Sequence, residues 1–352
     1  MIPRVRHLAA AALSGALLML PALAGIVPAS ASAAAPANRV FAIDMAKTDA
    51  QLKSVLKQWS PQKLAEAEKA SPATPGPKSD AAGSAGNGKP VTLPSKVDPR
   101  DVEPAAPSSG GARTFGKVFF SFGDKEFWCS ASSIAARNGS VVATAGHCAY
   151  DIRTLKPASN WIFVPNPGPD GSAPDGIYVG ASVAVHEQWP WTGDYDYDYA
   201  FVTVHPGIKW ENKNGEPTPV SVGKLQDNVG GQGLTILRKT GNTVHAFGYP
   251  AGAQPNGTRP FDGRSLKSCT GTTSWTKSPS FMVKYGVLLP CNFTSGVSGG
   301  PWLMEYNAGT RLGKLNGVNS LTWYSGANGV YDGTSSPYFN KDTLAVYLAA
   351  GS

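Results

Sequence analysis

Residues 113–352 predict an all-β domain of packed barrels or sandwiches, and three observations predict it. Short runs rich in β-branched and aromatic residues recur along this stretch: KVFFSF (117–122), FWCSASSI (127–134), WIFVPN (161–166), IYVGASVAVH (177–186), DYAFVTVH (198–205), TVHAFGY (243–249) and KLNGVNSLTW (314–323) among them. Turn signals such as Asn138-Gly139, Gly168-Pro169-Asp170-Gly171 and Gly241-Asn242 separate the runs. One segment alone, NKDTLAVYLAA at 340–350, carries a helical pattern, with Asn340 as its N-cap. Helices do not alternate with strands, so a parallel α/β architecture is excluded.

Residues 1–112 have a different texture. Arg4, Arg6 and His7 precede the uncharged apolar run LAAAALSGALLMLPALAGIV, which is followed by small residues with A-x-A steps at Ala29-Ser30-Ala31 and Ala31-Ser32-Ala33. A positive start, an apolar middle and a small-residue cleavage site predict a secretory signal peptide over 1–33 and therefore an exported, soluble protein. Residues 34–112 are expected to be a pro-segment and flexible linker. In it Thr48 and Gln51 have the spacing of a capping box, and Ser60-Pro61 opens a second short helix running to Ala70. Neither helix has the apolar area to stand alone. Pro, Gly, Ser and Ala then dominate 71–112, the composition of an extended linker.

Four cysteines in an exported chain are most simply two disulfides. Of the three possible pairings, Cys129–Cys148 with Cys269–Cys291 closes the two shortest loops. Zinc ligation is disfavoured because there is no C-x-x-C and Cys148 directly follows His147. No metal or cofactor is expected. The formal charge is +7, but residues 113–352 hold 19 Lys/Arg against 16 Asp/Glu, with no basic cluster, which does not support nucleic-acid binding.

The chemistry centres on TSGVSGGPW (294–302), where Ser298 stands among glycines. A serine hydroxyl needs a base to become a nucleophile, and the usual base is a histidine oriented by a carboxylate. The five histidines, at 7, 147, 186, 205 and 245, all precede Ser298. The order Ser, acid, His of the α/β-hydrolases therefore cannot be built. The order His, Asp, Ser can. His147 lies in VVATAGHCAY, where an apolar strand runs into a small-residue turn. Asp198 stands last in GDYDYDYAFV, just before an apolar run, and is the aspartate carried toward a buried setting. Asp194 and Asp196 read as solvated strand-edge charges.

With TAGHC, DYAFV and SGVSGGPW in that order, the chain resembles the chymotrypsin-fold serine proteases, and more closely the bacterial secreted trypsin-like and V8-like (glutamyl endopeptidase-like) branch. AFGYP at 246–250 resembles a strand-end motif of the V8-like group. The resemblance covers about residues 114–352. It implies two six-stranded antiparallel β-barrels with the site in the cleft between them, a Cys129–Cys148 disulfide bracketing the histidine loop, and His147, Asp198 and Ser298 as the catalytic triad. The backbone N–H groups of Gly296 and Ser298 would form the oxyanion hole.

The sequence departs from the trypsin group at Val297, where that group carries an aspartate that pairs with a newly freed N-terminus. Any control by residues 34–112 must then work by occlusion or by assisting folding. A mature N-terminus between about 100 and 116 is expected. Asn292, Asn319 and Ser320 are the candidate substrate-binding residues, and neither an Arg/Lys nor a Glu preference is indicated. The expected function is a secreted, monomeric serine endopeptidase acting on polypeptides, with no membrane association after signal cleavage. An exported esterase and an inactive protease-fold binding protein are the alternatives.

Overall fold

The computed structural model describes residues 39–67, 71–72, 88–96, 113–324, 326 and 328–352. The expected signal peptide at 1–33 lies outside them, as does most of the expected linker. Two β-barrels lie side by side, as the resemblance implies. In the first, Tyr178–His186, Ala200–Val204, Val141–Thr144, Lys125–Ile134, Phe115–Phe122 and Ser159–Pro165 pair in that order, and Ser159–Pro165 returns to Tyr178–His186 to close the ring. The second barrel comes from a six-stranded and a four-stranded sheet. They are joined where Lys267–Thr272 runs on into Ser274–Ser278 and Leu312–Val318 into Leu321–Trp323. The C-terminal helix spans Lys341–Gly351, and the Asn340 side chain accepts from the N–H groups of Asp342 and Thr343.

Several strands escaped the sequence patterns, including Lys267–Thr272 and the hairpin Gly207–Lys213/Glu216–Gly223. Their alternating or wholly polar surfaces carry little apolar signal, and pairing with neighbours makes them strands.

The barrels dock through a shared apolar layer. Phe115, Ile134, Val141 and Phe201 of the first meet Leu234, Phe247, Leu303 and Leu315 of the second, and Val346 and Tyr347 of the C-terminal helix close the layer. Phe115 and Phe247 stack across it with ring centroids 4.6 Å apart.

The first barrel is also covered on its outside, which explains runs such as KVFFSF that lack polar alternation. Val118 and Phe120 face the barrel core, and Phe119 faces the other way. Likewise Trp161 and Phe163 point in, whereas Ile162 and Val164 point out. The outer set is covered by the helices Asp49–Gln58 and Pro61–Ala67, through Val55, Trp59, Leu64 and Ala67. Both sides of the Thr48–Gln51 capping box are made. Trp59 is fully buried, packs on Phe119 at 5.7 Å and donates its indole N–H to the Asn160 carbonyl. Val40–Asp44 adds an antiparallel strand to Tyr178–His186, and Val91–Leu93 adds one to Gly233–Ile236 of the second barrel. The N-terminal region thus lies against both barrels, and residues 91–93, within the stretch read as linker, form a strand.

Replacing Trp59 by alanine removes the largest side chain of this cover. It is expected to cost the full-length chain about 3 kcal/mol, as large-to-small changes at buried tryptophans do, read from its urea unfolding.

Candidate active site

His147 sits in a single 3-10 turn, Gly146–Cys148, at the end of the strand Val141–Thr144. The Cys129–Cys148 disulfide pins that turn to the neighbouring strand Lys125–Ile134. Gly146 packs closely there: a Cβ on it would lie 3.1 Å from both the Asp198 carboxylate and the Trp189 ring, so either neighbour would have to give way by a few tenths of an ångström. The second pair, Cys269–Cys291, is also joined.

Asp198 ends another 3-10 turn, Tyr195–Tyr197, which the Asp194 side chain caps by accepting the Asp196 N–H. Its carboxylate is fully buried and accepts hydrogen bonds from both barrels. The His147 backbone N–H donates to Oδ1 at 2.8 Å, and the imidazole Nδ1–H donates to Oδ2 at 2.9 Å. From the second barrel, the Ser320 hydroxyl donates to Oδ2 at 2.5 Å. With Nδ1 committed as donor, Nε2 is the free lone pair of the ring. It is buried and has no hydrogen-bond partner among the described residues.

The Ser298 loop is held from three sides. Ser130 donates its N–H to the Ser298 carbonyl at 2.8 Å and its hydroxyl to the Gly296 carbonyl at 2.8 Å, and that hydroxyl accepts the Tyr249 N–H. Gly299 donates to the Asn319 carbonyl, and Asn319 donates to that of Gly300. Gly296 has φ +105°, and a Cβ on it would lie 2.5 Å from the Tyr249 carbonyl oxygen and 2.6 Å from the Trp128 ring. Only glycine fits there. Gly299 abuts Thr144 and Ala145, so the serine loop lies directly against the segment leading into His147. The N–H groups of Gly296 and Ser298 donate to no acceptor among the described residues.

Solved structures resemble this chain in fold. A protease, Anisep, from Arthrobacter nicotinovorans is 32% identical, with a TM-score of 0.55, over 69% of this chain and 98% of its own. A thermostable serine protease, AL20, from an extremophilic microorganism is 31% identical, also at 0.55, over 68% of this chain and 97% of its own. The chain belongs to the bacterial trypsin/V8-like proteases of the chymotrypsin fold. No family profile and no curated protein matches it.

The three candidate substrate residues fare differently in this protease. Asn319 is buried, and its side chain is saturated. Its amide donates to the carbonyls of Phe247 and Gly300, while its oxygen accepts from the Trp302 indole and the Thr334 hydroxyl. No donor or acceptor is left for a substrate, so Asn319 ties the serine loop to the second barrel instead of lining a pocket. The Ser320 hydroxyl is likewise committed to Asp198 and its N–H to the Ser335 carbonyl. Asn292 is exposed, and its carbonyl accepts from Gln254.

Sequence reasoning missed Ser130, whose only signal was its place beside Cys129. It also missed the cleft alongside His147, of about 310 Å³, lined by Phe120, Phe127, Trp189, Tyr195, Phe281 and Leu321 among others. These residues are scattered over 202 positions and share no motif (Phe120 to Leu321, counted inclusively).

Asn319→Ala removes four side-chain hydrogen bonds and takes from the buried Trp302 indole N–H its acceptor. It is expected to lower stability by about 2–4 kcal/mol, measured by denaturant titration, while cleavage-site preference on a peptide library stays unchanged.

Proposed function

We propose that the chain is an exported serine endopeptidase in which Ser298 is the nucleophile, His147 the general base and Asp198 the carboxylate that orients it. The observation that carries this reading is the fully buried carboxylate of Asp198, which holds His147 through Nδ1 and leaves Nε2 as the ring's available base. In the reaction, Nε2 takes the Ser298 hydroxyl proton as the oxygen attacks a peptide carbonyl. The tetrahedral oxyanion receives hydrogen bonds from the N–H groups of Gly296 and Ser298. Collapse expels the amine, which takes the proton back from Nε2, and water then repeats the sequence to release the acyl group. Asp198 stays ionised and stabilises the imidazolium.

The ring-lined cleft beside His147 supports substrates with a large apolar side chain close to the scissile bond. Residues 34–112 act as a pro-segment in this reading. The two solved relatives are spanned almost completely by about two thirds of this chain, the share that residues 113–352 make up. Maturation falls before Arg113, whose guanidinium pairs with Asp175 and whose neighbour Thr114 is tied to Ser133 and Gln232. Two disulfides, and the absence of any helix among the described residues long and apolar enough to cross a membrane, are compatible with export.

Labelling the purified protein with a fluorophosphonate probe, followed by peptide mapping, tests the assignment. Label on Ser298, lost in Ser298→Ala, is the expected result; an unlabelled protein already trimmed ahead of Arg113 would sink it. A combinatorial peptide library is expected to show enrichment of Phe, Tyr, Trp or Leu at a position flanking the cut.

A further inference from the structure

The turn that carries Asp198 belongs to the first barrel by sequence, yet its side chains reach to the second. The Asp196 carboxylate accepts the backbone N–H of Lys284 at 2.9 Å and that of Tyr285 at 3.0 Å, both on the strand Val283–Pro290. Beside it, Tyr195 packs edge-on between Trp189 of the first barrel, at 5.2 Å, and Phe281 of the second, at 5.1 Å. Two residues on, Asp198 takes the Ser320 hydroxyl. Asp196 is therefore one of two polar members of a three-point attachment between this short turn and the barrel that bears Ser298.

We infer that Asp196 is a positioning residue for the hydrolytic reaction, fixing the Asp198 turn on the second barrel so that the His147 imidazole is presented to Ser298. The inference rests on the triad reading above. A 3-10 turn of three residues has no rigidity of its own, and a displacement of about 1 Å at a catalytic group can cost about a hundredfold in rate. Two backbone donors converging on one carboxylate fix its position, and both bonds call for an acceptor oxygen.

The surroundings suit a group kept for function at a cost to stability. Asp196 is half-buried, and burial pushes its carboxyl up to about 6, offset by the two N–H donors. Between the ordinary carboxylate range and that value, the folded protein binds a proton that the unfolded chain does not. Stability therefore rises as pH falls through this window, and the ionised carboxylate weakens the fold at neutral pH. The charged groups around it are Asp194 on its own turn, Lys284 on the facing strand, and Lys341 and Asp342 at the start of the C-terminal helix. Tyr197, Tyr285 and Tyr338 complete the titratable groups of that cavity.

The test compares rate constants for fluorophosphonate labelling of Ser298 from pH 5 to 9, with melting temperatures, in wild type, Asp196→Asn and Asp196→Glu. Asn keeps one acceptor but opposes the second N–H with an amide. The expected result is labelling at least about tenfold slower at pH 7.5 in Asp196→Asn, with a melting temperature no lower than wild type and partial recovery in Asp196→Glu. The acid limb should also change, falling with more than one proton in wild type and with one in Asp196→Asn. Wild-type rate and limb in Asp196→Asn would overturn the inference, as would a loss that merely tracks unfolded protein. Failure of the triad reading looks different, because wild type itself would then not be labelled at Ser298.

Discussion

The Asp198 carboxylate, buried completely between two barrels, is the constraint on which the site depends. Taking a charge out of water costs several kcal/mol unless polar partners replace the lost solvation. Here the partners come from both sides of the cleft: the N–H and imidazole of His147 from the first barrel, and the Ser320 hydroxyl from the second. A carboxylate so placed is satisfied in only one relative setting of the barrels. The apolar layer of Phe115, Phe247 and their neighbours supplies the docking energy, while Asp198 and Asp196 select the arrangement.

On the opposite wall the problem is steric. The Ser298 loop has to pass close to Trp128, Tyr249 and Thr144, and it does so on glycines. Gly296 and Gly299 adopt positive φ, and Ser130 and Asn319 then bond the carbonyls of that loop, at Gly296, Ser298 and Gly300. Polar side chains buried in this way act as fixed fasteners. Their full set of hydrogen bonds explains why Asn319, which stands one residue before the Asp198 partner Ser320, is not available to a substrate.

The N-terminal region answers a different need. Four strands of the first barrel carry apolar side chains on both faces, and Trp59 with the two short helices packs on the outer set. The segment therefore covers surface that water would otherwise meet, and its added strands place it on both barrels.

By itself the sequence determined the all-β class, the terminal helix with its Asn340 cap and the capping box at Thr48, because these signals act over a few residues. The histidine count and order excluded one hydrolase family and left a single arrangement for His147, Asp198 and Ser298 to be proposed. The disulfide pairing was legible from loop length. What only the tertiary structure decided are matters of direction and company. Asp196 and Asp198 differ by one repeat of the same dipeptide, yet one faces two backbone donors and the other a histidine. Asn319 turns inward because its neighbours offer its side chain a complete set of partners, whereas Ser320 stays at the cleft wall with its hydroxyl on Asp198. The aromatic cleft gathers rings from distant segments, and the polar strands form because neighbours pair with them. Such facts depend on which groups the folded chain brings within hydrogen-bond or van der Waals distance, and no local pattern encodes that.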